Sequence, residues 1–291
     1  MVRLVTVLVL GILLAVVSAP LPADAGPVAD EAPMPVCRFA IPPWQKGVDF
    51  KEIRKKYMPL MRYMTEKSGC RFVAVGAKDY DDLVAKLVSG KVMVAELGAV
   101  TYIRAKNLNA AIEPLATVMS WNHDKSALVD YYNSYIVSLR NNKEVKTLHD
   151  LKGKPFGFVN RRSSSGFLYP SRLLMEEGVD YERFFGRTFF LGSHANVTDA
   201  VVAGSIAAGT SSQNNLLKAI KKHGDIFKVL WKSPPIPNVL FASHPEMPEA
   251  VRRKVQEALP LIDSDRQDLP LRHRGFSIRP DSFYDVTRKI M

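Results

Sequence analysis

Apolar positions along this chain switch repeatedly between short unbroken runs and a period near 3.6, the rhythm of strands alternating with helices. Cys37–Ile41 reads as a short strand, Phe50–Ser68 carries Ile53, Tyr57, Leu60, Met61 and Met64 at helical spacing, and Arg71–Val75 reads as a second strand. Tyr80–Val88 is a predicted helix closed by Gly90, a helix C-cap position. Val92–Leu97 is a third strand ending in Gly98, and Thr101–Ala105 suggests another helix. A longer strand, Tyr132–Leu139, leads into a second set, with strands at Phe156–Val159, Thr188–Leu191, Ile206–Gly209 and Phe227–Trp231. Helices at Gly166–Glu177, His194–Ala203 and Leu216–Lys222 separate them. Pro234-Pro235-Ile236-Pro237 breaks the pattern, Val239–Ser243 can return to the first sheet, and Pro248–Leu259 is a terminal helix.

Strands alternating with helices argue for parallel sheets with right-handed crossovers. The expected architecture is therefore α/β, with two lobes joined by crossings at Tyr132–Leu139 and Pro237–Ser243. Lobe one takes 37–130 plus 240–291 and lobe two takes 131–239. Ligands in such folds bind outside the carboxyl ends of the strands, so the cleft between the lobes is the expected site.

The first 25 residues change the picture from a cytoplasmic to an exported protein. Arg3 supplies a positive start, Leu4–Val17 is almost wholly apolar, and Ala23-Asp24-Ala25 offers small residues where a signal peptidase reads. The apolar run is shorter than a membrane span, and Pro20 and Pro22 break it. Residues 26–36, rich in Pro and Ala, read as a linker. Export permits a disulfide between the only two cysteines, Cys37 and Cys70, which open neighbouring predicted strands in matching contexts, Cys-Arg-Phe-Ala-Ile and Cys-Arg-Phe-Val-Ala. Two free, buried cysteines are the other reading.

A formal net charge of +11 in 291 residues points toward an anionic partner. Aromatics interleaved with Lys and Arg are absent, which argues against single-stranded nucleic acid. A small anion finds better support. Ser163-Ser164-Ser165-Gly166 follows a predicted strand and opens a helix, where free N–H groups and the helix dipole favour an anion. The three hydroxyls add donors, and Gly166 lets the backbone come close. Arg161 and Arg162 raise the local positive potential, and Pro170 lies near the helix start, where a missing N–H costs least. A serine N-cap in a surface loop is the plainer alternative. His194 opens the next helix at the same sheet edge and can donate to an oxyanion. Tyr80 opens the helix after the second strand of lobe one, and Tyr132 lies at the first crossing; both can line the cleft. No carboxylate is spaced to orient a serine–histidine pair, which argues against a hydrolase built on Ser164 or Ser165. No metal site or cofactor is indicated.

The run Phe158-Val159-Asn160-Arg161-Arg162-Ser163-Ser164-Ser165-Gly166-Phe167-Leu168-Tyr169-Pro170 resembles the phosphonate-binding periplasmic proteins of ABC transporters, a family that includes binders of phosphite and phosphate-like oxyanions. Asp79-Tyr80, Gly90-Lys91-Val92, Leu97-Gly98 with Tyr102, Leu191-Gly192-Ser193-His194, Val229–Pro237 and Gly275-Phe276 match it in order over roughly 37–286. The resemblance implies a type II periplasmic binding protein fold, a periplasmic monomer without enzymatic activity, and delivery of a small oxyanion to an ABC permease in the inner membrane. A sensor that presents its ligand to a membrane receptor has the same fold. It also implies that Ser163, Ser164 and Ser165 hold the ligand oxygens, with His194, Tyr80 and Tyr132 completing the cradle. Members that take aminoalkyl phosphonates place carboxylates after the next strand and after the Ile-Pro pair. Here those stretches are Gln213-Asn214-Asn215 and Ile236-Pro237-Asn238-Val239-Leu240, without an acid. The usual Asp of Gly-x-Val-Asp is Met93, with Glu96 nearby.

Overall fold

The computed structural model of the chain describes residues 34–42, 49–122, 126–266, 268–269 and 273–291. The expected signal peptide and residues 26–33 of the expected linker lie outside the described residues. The elements in chain order are β1 (Val36–Ile41), α1 (Phe50–Ser68), β2 (Arg71–Gly76), α2 (Tyr80–Val88), β3 (Val94–Leu97), α3 (Ala99–Leu108), β4 (Glu113–Trp121), β5 (Leu128–Val129), β6 (Tyr131–Tyr132) and β7 (Ser134–Leu139). Then come β8 (Pro155–Phe158), a π turn (Ser164–Leu168), α4 (Tyr169–Glu176), α5 (Tyr181–Phe184), β9 (Arg187–Phe190), α6 (His194–Val202), β10 (Ala208–Ser212), α7 (Gln213–His223) and β11 (Phe227–Lys232). The chain closes with β12 (Ile236–Pro237), β13 (Leu240–Ser243), α8 (Glu249–Ala258), β14 (Gly275–Ser277) and α9 (Asp285–Arg288).

Two sheets carry two lobes. The first has the order β14-β4-β13-β3-β1-β2, with β5 paired to β4. The second has the order β11-β7-β10-β8-β9. In lobe one, β1 pairs in parallel with β2 and β3, because α1 and α2 are the crossovers between them. Helix α1 forms where its sequence predicts. Asp49 caps it by accepting from the Lys51 amide at 3.0 Å, and its buried face is Ile53, Tyr57, Leu60, Met61 and Met64. In lobe two, β10, β8 and β9 run parallel, so their carboxyl ends share one edge.

Neither sheet is wholly parallel, contrary to the sequence reading. Strand β13 returns from lobe two and pairs antiparallel with β3 and β4, while β14 pairs antiparallel with β4. In lobe two, β7 is antiparallel to both β10 and β11. The right-handed crossover rule covers a strand, a crossover and the next parallel strand. It does not fix the direction of a strand that arrives from another lobe. Strand β4 was not apparent from the sequence because Pro114–Val118 is buried on both faces, which removes the alternation that marks a half-exposed strand. The expected strand Tyr132–Leu139 is interrupted at Asn133, and the expected strand Ile206–Gly209 lies two to three residues later, at Ala208–Ser212. Val36, assigned to the linker, begins β1.

Cys37 and Cys70 are joined by a disulfide, with Cα atoms 6.0 Å apart. Cys37 pairs with Phe72 across the parallel β1–β2 ladder, so the bridge ties the amino ends of both strands, at the edge opposite their carboxyl ends. No helix among the described residues is long and apolar enough to cross a membrane.

Candidate functional site

Strands β8, β9 and β10 deliver three segments to one edge: the serine run after β8, His194 after β9 and Ser212 at the end of β10. Ser163 caps the turn that follows, its Oγ accepting from the Gly166 amide at 3.0 Å. Ser163 is thus an N-cap, and its hydroxyl can still donate while accepting. Ser164 is half-buried, and its hydroxyl makes no hydrogen bond to another described residue. Its amide and that of Ser165 stand at the first positions of the turn, where helix geometry supplies no carbonyl partner. Ser165 is buried and its Oγ lies 3.3 Å from Nε2 of His194.

The turn is a π turn, a form often found at functional positions. The expected helix Gly166–Glu177 is thus a π turn over Ser164–Leu168 followed by α4. Pro170 has no N–H to return to the turn, which leaves carbonyls to be used elsewhere. The Ser165 carbonyl accepts from Ser134 Oγ at 2.6 Å, and that of Gly166 accepts from Thr210 Oγ1 at 2.9 Å and from the Val159 amide at 3.1 Å. The serine run is thereby fastened to strands β7 and β10. Gly166 is required by packing, since a Cβ there would lie 2.4 Å from that of Val159.

His194 is held from both sides. The Ser212 amide donates to Nδ1 at 3.2 Å, which makes Nδ1 an acceptor and assigns the proton to Nε2. The imidazole therefore faces Ser165 as a neutral N–H donor. This tautomer cannot take a proton from a serine, and Nδ1 meets a backbone amide where a hydrolase would place a carboxylate. The arrangement presents an N–H donor toward Ser165 and does not activate a nucleophile. No group of three or more His, Cys, Asp or Glu side chains among the described residues could hold a metal ion.

The two flanking arginines are already engaged. Arg161 donates to Tyr181 Oη at 2.8 Å and lies over the Phe190 ring at 4.8 Å. Arg162 pairs across the cleft with Asp81 at 2.6 Å. Asp81 follows Tyr80 in α2, so this pair brings the exposed Tyr80 to the rim opposite the serine run. Tyr132 is half-buried in β6, two residues before Ser134. Burial pushes the Tyr169 phenol at the start of α4 up to about 12, and the charge of Tyr132 adds to that shift. Sequence reasoning missed Ser134, Thr210, Ser212 and Asp81. Ser211-Ser212 at a strand end before a helix was a usable signal; a serine or threonine inside a strand gives none.

The positions without an acid are accounted for. Gln213 is buried, and Asn215 Nδ2 donates to Ser212 Oγ at 2.8 Å. Asn238 turns its amide into lobe one, donating to the carbonyls of Val118 and Val129 at 3.1 Å each. Val239 and Met93 pack against the lobe-one core. Glu96 is sealed in that core, accepting from Tyr57 Oη at 2.7 Å with His273 Nε2 at 3.3 Å. Glu96 therefore cannot serve as a counter-charge in the cleft.

Residues 39–276 match the model of the family described as "ABC transporter, phosphonate, periplasmic substrate-binding protein". The chain belongs to this family. It is 29% identical over 212 residues to the phosphate-import protein PhnD of Mycolicibacterium smegmatis, covering 69% of this chain and 64% of that protein. It is 26% identical over 217 residues to the phosphonates-binding periplasmic protein of Escherichia coli, covering 71% of this chain and 61% of that protein. The chain thus spans less than two thirds of the length of these relatives. PhnD1 of Prochlorococcus marinus, solved in complex with methylphosphonate, superposes with a TM-score of 0.69 at 17% identity, covering 88% of this chain and 96% of that one. That likeness is one of fold: the chain has the two-lobed type II fold. The family is one of periplasmic substrate-binding proteins.

Proposed function

We propose that the cleft captures a small phosphonate, phosphite or phosphate-like oxyanion and delivers it to an ABC permease in the inner membrane. In this reading the amides and hydroxyls of Ser164 and Ser165 take the ligand oxygens. Ser163 shapes the turn, and His194 donates from Nε2. Tyr80 and Tyr132 close the cradle from the opposite lobe and the first crossing. The observation that carries the reading is the Ser212–His194–Ser165 chain, which holds a neutral N–H donor beside two amides with no carbonyl partner. Methylphosphonate bound to PhnD1 and phosphate import by the M. smegmatis PhnD support the ligand class.

The same geometry supports a preference within the class. Among the described residues, Asn214, Asn238 and Val239 stand where an ammonium would need acids, and Glu96 is enclosed in the core. A buried ammonium without a counter-charge is costly. Calorimetry on protein freed of phosphate should show methylphosphonate or phosphite binding more tightly than 2-aminoethylphosphonate, with no turnover of any ligand. Tighter binding of the aminoethyl compound than of both would refute the preference, and no binding of any of the three would refute the ligand class.

A further inference from the structure

Asp79, at the N-cap of α2, and Asp81 and Asp82 in its first turn do different things. Asp79 caps the helix, accepting from the Asp82 amide at 2.8 Å. Asp82 accepts from the Lys78 amide at 2.8 Å and pairs with Lys86. Asp81 instead reaches outward from the helix. Its Oδ1 lies 3.1 Å from Nη2 of Arg104 on α3, within its own lobe, and its Oδ2 lies 2.6 Å from Nη2 of Arg162 in the other lobe. Arg162 directly precedes the serine run, and Asp81 directly follows Tyr80. Arg161, beside it in sequence, is committed wholly inside lobe two, to Tyr181, Glu182 and the rings of Phe167 and Phe190.

We propose that Asp81 and Arg162 form a latch across the mouth of the cleft, with Arg104 orienting Asp81, and that this latch sets how long a bound oxyanion stays. Both are positioning residues that act on closure rather than on the ligand. The proposal rests on the ligand class given above. Side-chain exposures of 46% for Asp81 and 52% for Arg162 put the pair at the rim. An exposed pair contributes little in water, so the effect expected is roughly two- to fivefold. That contribution falls entirely on the open–closed equilibrium, because the pair exists only when the lobes meet.

The sign of one substitution separates this from simple electrostatics. If Asp81 only added negative charge near an anion, Asp81→Asn would tighten binding through faster association. A latch predicts the reverse: weaker binding, through dissociation about two- to fivefold faster. Arg162→Gln should speed dissociation similarly, and Asp81→Asn added to Arg162→Gln should change it no further. Raising the salt should narrow the gap between wild type and variants. The experiment is stopped-flow dissociation of methylphosphonate from the full chain, wild type and three variants, with ligand-free small-angle scattering of each. Faster dissociation that is non-additive supports the latch. Tighter binding by Asp81→Asn, or additive effects in the double variant, overturns it. If wild type binds no methylphosphonate, the ligand class fails instead, and scattering decides the latch: the free variants should be more extended than wild type at low salt, and equal dimensions overturn it.

Discussion

At the scale of single residues, Ser164 is the position where the proposed function and stability should separate. Among the described residues nothing pairs with its hydroxyl, whereas Ser163 Oγ caps the turn and Ser165 Oγ meets His194. A hydrogen bond to a charged group contributes about 1.5–3 kcal/mol, so Ser164→Ala should weaken methylphosphonate binding roughly ten- to a hundredfold. Thermal unfolding of the ligand-free variant should match wild type, and Ser163→Ala should show the opposite balance, losing about 1 kcal/mol of stability as a lost cap. The bond from Ser212 to Nδ1 resolves a question about His194 that its sequence position leaves open, whether it donates as a cation or as a neutral ring. Binding should therefore persist as pH rises well above the imidazole's ordinary range near about 6.5. Nitrogen NMR of the ring should show a protonated Nε2 and an unprotonated Nδ1; the reverse tautomer would contradict the site.

At the scale of elements, the disulfide and the site lie at opposite ends of their strands. The bridge closes a chain separation of 33 residues and so removes conformational freedom from the unfolded chain. Cys37→Ser with Cys70→Ser should lower stability by about 2–4 kcal/mol in urea unfolding, with methylphosphonate affinity within about twofold of wild type. A large loss of affinity would mean that β1 and β2 transmit strain to the cleft. Legibility in the sequence follows the same element logic. Amphipathic α1, half-exposed β2 and the helix starts after β8 and β9 announce themselves through periodicity and Gly or Ser punctuation. Consequently the placement of the serine run and of His194 at one sheet edge is legible in the sequence. Strand β4 was hidden by burial on both faces, and the π turn by Pro170, whose effect depends on which strand hydroxyls take the freed carbonyls. Ser134 and Thr210 do so across long stretches of chain, and no local pattern encodes that contact.

At the scale of the molecule, both crossings are fastened to lobe one, which fixes where the hinge must bend. On the first crossing, the buried Asp130 carboxylate accepts from Arg279 Nε at 2.5 Å and from Ser277 Oγ at 2.9 Å, both from the C-terminal part of lobe one. On the second, the Asn238 amide side chain is held by lobe-one carbonyls, and its backbone N–H donates to the Asp130 carbonyl at 2.8 Å. Beyond these anchors the short β6–β12 ladder precedes Asn133 and Ser233, which lead into lobe two. Bending therefore belongs between Asp130–Asn238 and Asn133–Ser233. Arg279→Ala would leave a buried carboxylate with one hydroxyl partner, and stability should fall by about 1–3 kcal/mol. Removing both charges, Arg279→Ala with Asp130→Asn, should recover much of that loss, because an absent buried pair costs less than a broken one. Both variants should also bind methylphosphonate more weakly than wild type, since a loosened pivot no longer holds Tyr132 on the first crossing in place. Urea unfolding and calorimetry on the two variants check this. A double variant less stable than the single one would show that Asp130 braces the crossing through Ser277 and the backbone rather than through its charge.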